Sequence, residues 1–386
     1  MKMRRLLTTI LFGFLASPTF SLDQVFLESP VPVSPTLKAQ GGVSTANAEG
    51  YQALFVNPAA FAVPKSSLTI LSMETTANMP LSGLTRILEA RNSWSNTDYL
   101  SGSNPMRTLL NDLLTQYGLG FEESIGSGWV GNNLGLGMLL KTQVMAKGDS
   151  LLETKSTVDS TLEGVVGMAW PFDVGLGTLR VGAALRPMQV NRVQLSVSDI
   201  LDHKGDYNAY TVSSGFGLGW DLGFRWDWET FRTGLAIRDA GSTVVNFKDY
   251  TGAKWISGLG FPSGGTSTGN TLYRIPTVIA LGTSWTPDVG SLATLFQPSL
   301  SLDFQIPIKD EDTQPSFWTW THLGAEAKFL QFLSVRTGLN QGYFTFGLGA
   351  KVFVTDFNLA IYSDELGRYS GLNRRSGLSF EWAFRI

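Results

Sequence analysis

Residues 216–226 have the sequence FGLGWDLGFRW, and the pattern of this segment points to the fold. Every second position in it holds a large apolar side chain, and the positions between hold glycine, aspartate or arginine. Successive side chains of a β-strand point to opposite faces, so this segment has one wholly apolar face and one small or charged face. The period of two predicts a strand whose apolar face contacts lipid or a protein core.

The same alternation recurs along the chain and predicts about fourteen antiparallel strands of a transmembrane β-barrel. Most segments reach the roughly 9–11 residues that a tilted membrane-spanning strand needs. Tryptophan lies near several strand ends, as at Trp170, Trp228 and Trp285, where barrels carry aromatic girdles. A soluble sandwich also alternates, but frequent glycine on the polar face favours a packed lumen. The predicted strands are 66–77, 119–130, 133–147, 153–170, 178–195, 208–226, 229–246, 272–286, 294–307, 317–329, 332–340, 343–354, 356–365 and 376–386.

Composition excludes several classes of protein. Charged residues make up 16% of the 386 residues, compared with roughly 25% in soluble domains. The net charge of -3 argues against a nucleic-acid partner, which favours a basic surface. The absence of cysteine excludes disulfides, cysteine metal sites and a thiol nucleophile. Neither histidine, His203 or His322, lies in a catalytic motif, so we expect no enzyme activity, no metal site and no cofactor.

The first 21 residues are typical of a signal peptide. Lys2, Arg4 and Arg5 precede a short apolar run, and small residues lead to a cleavage position after Ser21. A spanning helix needs about 20 apolar residues, and this run is shorter. We therefore expect an exported protein with three parts: a signal peptide at 1–21, an N-terminal segment at 22–65 and a barrel at 66–386.

The predicted connections alternate between short and long, as expected for short periplasmic turns and long outer loops. The longest outer connection contains residues 81–118, where leucine recurs at helical spacing in two segments. Two helices there would form an extracellular loop over the barrel mouth. This loop could be a structural lid or an apolar landing groove for a substrate, and the sequence leaves both interpretations open.

The segments LKAQGGVSTANAEG (37–50) and ALFVNPAAFA (53–62) resemble the N-terminal hatch of the FadL-type long-chain fatty acid transporters. Asn57-Pro58-Ala59 resembles the Asn-Pro-Ala turn that precedes the first strand in that family. A broader group of barrels, including the type IX secretion shuttle barrels, has a similar layout. This chain departs from the usual assembly signal because it ends in Arg385-Ile386, not in an aromatic residue.

The resemblance implies a hatch at 22–65 inside the barrel lumen, and uptake of hydrophobic molecules such as long-chain fatty acids across the bacterial outer membrane. Release would follow a shift of the hatch or pass sideways through a gap in the wall. The implied partners are the hydrophobic ligand, outer-membrane lipid and the barrel assembly machinery during insertion. Simple packing against the wall is an equally good interpretation of the candidate ligand contacts, which are Leu54, Phe55, Val56, Asn57, Pro58, Ala59 and Phe61.

The charged residues on the polar faces are expected to point into the lumen. They could pair across the lumen and hold the hatch, or one arginine could receive a ligand carboxylate, since its fork suits that group. A second function stays open, namely a non-transporting partner or assembly barrel of a secretion or envelope complex. The candidate lumen charges are Arg180, Arg186, Arg225 and Arg336.

Overall fold

The computed structural model describes residues 25–26, 34–90, 105–116, 118–148, 154–196, 202–203, 205–262, 264, 271–308, 316–366, 369–371 and 374–386. The predicted signal peptide, residues 1–21, lies outside these described residues. The described chain forms one large sheet with short helices inside it and at one end.

The sheet closes into a barrel because its last strand, β17, pairs with β2. All neighbouring strands are antiparallel except the two-residue strand β1, which pairs in parallel with β10. The strands are β1 Val25–Phe26, β2 Ser67–Asn78, β3 Leu119–Gly131, β4 Leu134–Lys147, β5 Lys155–Asp173, β6 Thr178–Ser196, β7 Thr211–Trp228, β8 Phe231–Arg238, β9 Thr243–Thr251, β10 Thr271–Ile275, β11 Val278–Trp285, β12 Phe296–Pro307, β13 Thr321–Phe329, β14 Leu333–Asn340, β15 Tyr343–Val352, β16 Thr355–Glu365 and β17 Arg374–Arg385.

Two positions of the wall are each filled by two short strands in line. Strand β7 pairs with both β8 and β9, while β11 pairs with β8 and β10 pairs with β9. β8 and β9 are therefore one interrupted strand, and β10 and β11 are another. Strands β2–β17 thus occupy fourteen wall positions, which confirms the predicted fourteen-stranded antiparallel barrel.

The two interruptions lie side by side in the wall. Asp239, Gly241 and Ser242 have positive φ angles of 49°, 79° and 65°, and proline at 276 supplies no N–H to a strand ladder. The Thr277 hydroxyl bridges the break, because it accepts from the Ser242 nitrogen at 2.9 Å and donates to the Asp239 carbonyl at 2.7 Å. One side chain thus replaces part of the missing backbone ladder.

Three predicted strands were wrong in detail. The predicted strands 229–246 and 272–286 are not continuous, because of these interruptions. The predicted strand 317–329 begins only at Thr321, since Phe317–Trp320 forms a 3₁₀ helix. There the Thr319 hydroxyl donates to the Ser316 carbonyl at 2.6 Å, a local bond that competes with strand pairing.

The two faces of each strand meet different surroundings. On β7, Phe216 is 60% exposed and Leu218 is 54% exposed, whereas Asp221 is 1% exposed and Arg225 is 3% exposed. The large apolar face therefore points outward, and the glycine and charged face lines the lumen. Trp226, Trp228, Phe231 and Trp285 form a stacked outer row with ring centroids 5.9–6.4 Å apart.

The connections differ between the two ends of the barrel. At the short-turn end, five of the six turns contain two to four residues, such as 132–133 and 353–354. The long-loop end carries helices α3 (Leu81–Ala90) and α4 (Pro105–Gln116), which lie in the predicted helical loop. Leu113 of α4 is fully buried, and Arg86 of α3 pairs with Asp112 of α4 at 3.0 Å.

No helix among the described residues is both long and apolar enough to cross a membrane.

A closed barrel satisfies every backbone polar group of its wall, which a membrane requires. Here the wall combines that closure with an apolar outer face and an aromatic row at strand ends. These are the features of barrels in the bacterial outer membrane, where this protein resides.

We expect the substitution Gly223→Ala to destabilise the barrel by about 1–3 kcal/mol through overpacking. A Cβ atom at this lumen position would lie 2.7 Å from the backbone nitrogen of Ala59. The matched control is Gly164→Ala, whose Cβ would meet only Pro187 Cγ at 3.4 Å and its carbonyl oxygen at 3.9 Å. Urea unfolding in lipid vesicles measures both variants, and equal midpoints would contradict the close approach.

Candidate functional site: the plug and the polar lumen

A compact segment, residues 34–62, fills the lumen and is called the plug here. It contains α1 (Pro35–Ala39), a 3₁₀ helix at Gly50–Gln52, α2 (Ala53–Val56) and a 3₁₀ helix at Pro58–Ala62. Ser34 caps α1, since its hydroxyl accepts from the Leu37 nitrogen at 3.4 Å. The plug lies within the segment predicted as a hatch, residues 22–65.

The plug touches the wall on most sides, and glycine makes this possible. A Cβ at Gly135 or Gly167 would lie 2.6 Å from the Phe61 ring, and one at Gly128 would lie 2.6 Å from Leu54 Cδ1. Contacts on so many strands place the plug inside the barrel. Other lumen glycines against plug atoms are Gly126, Gly137, Gly182, Gly223, Gly234, Gly282, Gly324, Gly338 and Gly347.

The Asn57-Pro58-Ala59 turn is a structural joint of the plug. Asn57 caps the following 3₁₀ helix, because its side-chain oxygen accepts from the Ala59 nitrogen at 3.1 Å. Its side-chain nitrogen donates to the carbonyls of Thr45, at 2.8 Å, and of Phe224 in the wall, at 3.4 Å. This one side chain therefore joins two parts of the plug to β7.

The apolar plug residues singled out from the sequence are all buried. Phe55 and Phe61 are 0% exposed, and Leu54 and Val56 are hardly more so. They form one cluster with wall residues that include Val130, Leu139 and Val165. The structure thus brings the predicted hatch contacts together against β3–β6. Pro58 and Ala59 lie beside them, against Gly182 of β6 and Gly223 of β7.

On the opposite side, polar groups of β12–β15 hold the plug. Asp303 Oδ2 accepts from the backbone nitrogens of Ser44 and Thr45, at 2.7 and 2.8 Å, and from Thr45 Oγ1 at 2.7 Å. His322 Nδ1 donates to the Gly41 carbonyl at 2.9 Å. Thr345 Oγ1 donates to the Ala39 carbonyl, also at 2.9 Å. Three wall strands therefore anchor residues 39–45.

Among the described residues, Arg180 is the one of the four predicted lumen arginines that donates a hydrogen bond to the plug. Arg180 Nε donates to the Ala62 carbonyl at 3.2 Å, and its guanidinium pairs with Asp227. Arg225 pairs with the same Asp227 at 3.0 Å. Arg336 pairs with Glu326 at 2.8 Å, within the wall. Most of these charges therefore brace the lumen wall.

The Arg186 guanidinium lies among three carboxylates, all essentially fully buried. The distances are 2.8 Å to Glu163, 2.8 Å to Asp221 and 2.7 Å to Asp239. Asp239 begins the wall interruption, and Thr243 Oγ1 also donates to it at 2.6 Å. Breaking a buried ion pair leaves an uncompensated charge, so this cluster fixes the interruption against β5, β6 and β7.

Sequence reasoning missed Lys38, a buried cation on α1. Its Nζ donates to Thr76 Oγ1 at 2.9 Å and to Ser379 Oγ at 3.5 Å, and lies 4.8 Å from the Tyr362 ring centroid. Burial lowers the pKa of the Lys38 ammonium below its usual range, although the Glu122 carboxylate opposes that shift. The helical position of Lys38 gave no alternation signal that could have identified it.

A second apolar cluster lies in the lumen on the side of the long loops. This vestibule cluster consists of Met188, Val190, Val245, Phe247 and Ile275, all at most 5% exposed, with Tyr273 beside it. The inward residues of strand β6 show the order of these groups along the lumen. They run from the long-loop end through the vestibule cluster and the Arg186 cluster to the plug. In that order they are Arg192, Val190, Met188, Arg186, Ala184, Gly182 and Arg180.

Within the described part of the chain, no group of three or more histidine, aspartate or glutamate side chains is arranged to hold a metal ion.

We expect Asp303→Ala to speed amide hydrogen exchange at Ser44 and Thr45 by about tenfold or more. Both amides lose a charged acceptor, and such bonds contribute roughly 1.5–3 kcal/mol each. The control is Asp288→Ala, which removes an acceptor from an exposed turn, where Gly290 donates at 2.9 Å. Amide hydrogen exchange, measured by mass spectrometry on the detergent-solubilised barrel, tests this prediction. Unchanged protection at both amides would show that Asp303 does not anchor the plug.

The fold is similar to that of solved outer-membrane channel structures. The structure of the CymD monoaromatic hydrocarbon channel is 13% identical, covers 93% of this chain and 98% of that chain, and gives a TM-score of 0.50. The toluene transporter TodX of Pseudomonas putida is 13% identical, with 94% and 98% coverage and a TM-score of 0.49. The CymD match confirms the expected FadL-type barrel fold. A search of the curated proteins found no match.

A protein-family model described as "F plasmid transfer operon, TraF, protein" matches residues 38–303. The matched region begins in α1 of the plug and ends within β12. It covers more than half of the chain, including most of the plug, the Arg186 cluster and the vestibule cluster. The chain therefore belongs to the family described as F plasmid transfer operon, TraF, protein.

Proposed function

We propose that this barrel takes up small hydrophobic molecules, such as long-chain fatty acids, across the outer membrane. The observation that carries the proposal is the vestibule cluster, a second apolar patch in the lumen, which the buried Arg186 cluster separates from the apolar contacts of the plug. An apolar lumen patch contributes nothing to contact with lipid. Apolar pockets with a few polar groups are the usual binding sites of small ligands.

The order of groups along β6 supports a path. A ligand arriving from the long-loop end meets Arg192 and then the vestibule cluster, the first inward groups of β6 at that end. The Arg192 guanidinium lies 5.6 Å from the Tyr273 ring centroid at the same level. In this proposal the vestibule cluster contacts the apolar tail of the ligand, and the Arg192 guanidinium contacts its polar head.

The plug is the gate in this proposal. Its Phe55 and Phe61 fill the lumen below the Arg186 cluster, so a ligand passes only if apolar plug contacts are exchanged for ligand contacts. Two release routes follow. The plug shifts towards the short-turn end, or the ligand leaves sideways at the wall interruption, where Thr277 bridges to Asp239 and Ser242.

The shared fold suggests which ligands to test. CymD, whose fold this chain shares, is a monoaromatic hydrocarbon channel. A ligand range from a single aromatic ring to a long acyl chain therefore belongs in one binding experiment. The described lumen charges pair mainly with one another. We therefore do not expect a strongly charged ligand.

We expect the purified barrel to bind a fluorescent fatty acid, and Phe61→Asp to weaken that binding at least about tenfold. A carboxylate buried beside glycine and apolar side chains is costly, so the plug would no longer close on the ligand path. Toluene and an unlabelled long-chain fatty acid serve as competitors. Displacement by only one of them identifies the ligand class.

The control for this substitution is Phe261→Asp, at an exposed loop position. Heat-modifiable gel mobility shows whether each variant is folded. A folded wild-type barrel that binds neither probe would exclude the uptake proposal.

The absence of cysteine allows a reversible lock of the plug. A Cβ at Gly50 would lie 3.8 Å from the Cβ of Ser67 in β2, and disulfides favour a separation of about 3.8 Å. We expect oxidation of the double variant Gly50→Cys, Ser67→Cys to slow fatty-acid uptake into proteoliposomes at least about tenfold. Reduction should restore the rate.

Each single cysteine variant is the control for that lock, since it carries the substitution without the bond. Uptake that stays fast in the oxidised double variant would show that residue 50 of the plug need not move away from residue 67 of β2. The ligand would then leave by the sideways route.

The family match favours a second candidate function, a component of an envelope complex for plasmid transfer. In that case the plug is a permanent filling and the loops contact other proteins. A mating assay in cells that lack this barrel separates the candidates. Restoration of plasmid transfer by the non-binding Phe61→Asp variant would favour the assembly function, and loss of uptake without loss of transfer would favour the transport function.

A further inference from the structure

Two arginines face each other at the short-turn end of the lumen. Arg180 of β6 lies directly opposite Arg225 of β7, and both belong to the inward faces of their strands. Like charges directly opposite one another destabilise a strand pair. The carboxylate of Asp227 offsets this repulsion, since it pairs with Arg180 and lies 3.0 Å from Arg225 Nε. One acid therefore holds two arginines.

A third arginine at this end pairs with the plug. Arg232 of β8 lies directly opposite Asp227 in the strand register. Its guanidinium contacts the carboxylate of Glu49, in the plug, at 2.6 Å. Within this group three guanidinium groups share two carboxylates, so one positive charge is left over. Arg180, Arg225 and Arg232 are called the mouth arginines here.

Arg225 also has an unused donor. Its side chain is 3% exposed, and its Nη2 donates to Asp227 Oδ2 at 3.2 Å. Its Nη1 is buried and has no hydrogen-bond partner among the described residues. An unpartnered buried donor is costly, and nearly all such groups in folded proteins have a partner. Solvent reaches the edge of this group, because the Arg180 and Asp227 side chains are 12% and 22% exposed.

The mouth arginines adjoin the apolar part of the plug. Arg180 Nε donates to the carbonyl of Ala62, the last residue of the final plug helix, at 3.2 Å. Gly223, the next inward residue of β7 from Arg225, lies against Ala59, whose nitrogen would be 2.7 Å from a Cβ there. A hydrophobic molecule that replaces these plug contacts therefore has one end beside Arg225.

We propose that the mouth arginines bind the carboxylate of a hydrophobic acid as it leaves the lumen, with Arg225 Nη1 as a donor. The planar N–H fork of a guanidinium matches the two oxygens of a carboxylate. One carboxylate also balances the left-over positive charge, which a neutral hydrocarbon does not. The inference rests on the proposed uptake and deepens it, because it selects acids among the ligands and the short-turn end among the release routes.

The test is photoaffinity labelling of the full barrel in a nonionic detergent, with a long-chain fatty acid that carries a diazirine beside its carboxyl group. Peptide mass spectrometry should find labels near Arg180 and Arg225. Arg225→Met removes the unused donor and should lower this labelling about fivefold or more, because charge-assisted hydrogen bonds are the strong ones. The alcohol with the same chain and diazirine should label these residues only at the lower level in both proteins.

A second variant has the opposite expected effect. Glu49→Gln, at an exposed plug position, frees Arg232 and should raise labelling by the acid about twofold or more. The matched control is Lys351→Met, which removes an exposed charge from the lumen face of β15, at the same end but on the far side of the barrel. Labelling of this control should equal that of the wild type. Heat-modifiable gel mobility shows whether each variant is folded.

Three results would each overturn the carboxylate site and leave the uptake proposal standing. They are labels near the vestibule cluster alone, equal labelling of Arg225→Met and wild type, and equal labelling near Arg225 by acid and alcohol. If Arg225→Met does not fold, the acid and alcohol comparison on the wild type and on Glu49→Gln decides. A folded wild-type barrel that neither probe labels would exclude the uptake proposal, and this inference with it.

Discussion

A Cβ atom at Gly338 would lie 2.5 Å from the amide nitrogen of Gly41, so plug and wall meet where neither carries a side chain. This close approach of the two backbones determines how the wall holds the plug. It brings the plug backbone within reach of short side chains such as Asp303 and Thr345. It also requires positive φ angles at Gly41 and Gly42, of 69° and 86°, which glycine alone adopts readily.

The same constraint separates the lumen charges into two groups. Where the plug lies close, wall charges bond to its backbone, as Asp303 and Arg180 do. Where it does not reach, arginine and carboxylates pair across neighbouring strands, as in the Arg186 cluster. Burying these groups unpaired would cost several kcal/mol per ion. The charges that the plug does not reach therefore pair with one another within the wall.

Much of the barrel could be predicted because strand alternation is a local signal. The residues of β7 show which side meets lipid without knowledge of any other strand. The wall interruption could not be predicted in this way, since it depends on Arg186, Asp239 and Thr277 meeting from three different positions of the wall. His322 and Lys38 were missed for the same reason, because their partners, Gly41 and Thr76, are remote in sequence. The resemblance of residues 37–50 and 53–62 to a hatch indicated a plug within 22–65, but not which wall groups hold it.

The plug is held differently on its two sides, and this difference bears on any movement. Residues 39–45 are fixed by hydrogen bonds to Asp303, His322 and Thr345, which an apolar ligand cannot replace. Residues 54–61 are fixed largely by apolar contacts with β3–β6, which an apolar ligand can replace at little cost. In the proposed uptake, the first group therefore acts as the hinge and the second as the moving part. A hydrophobic ligand thus weakens only the contacts that it reproduces, and the barrel stays closed to polar solutes.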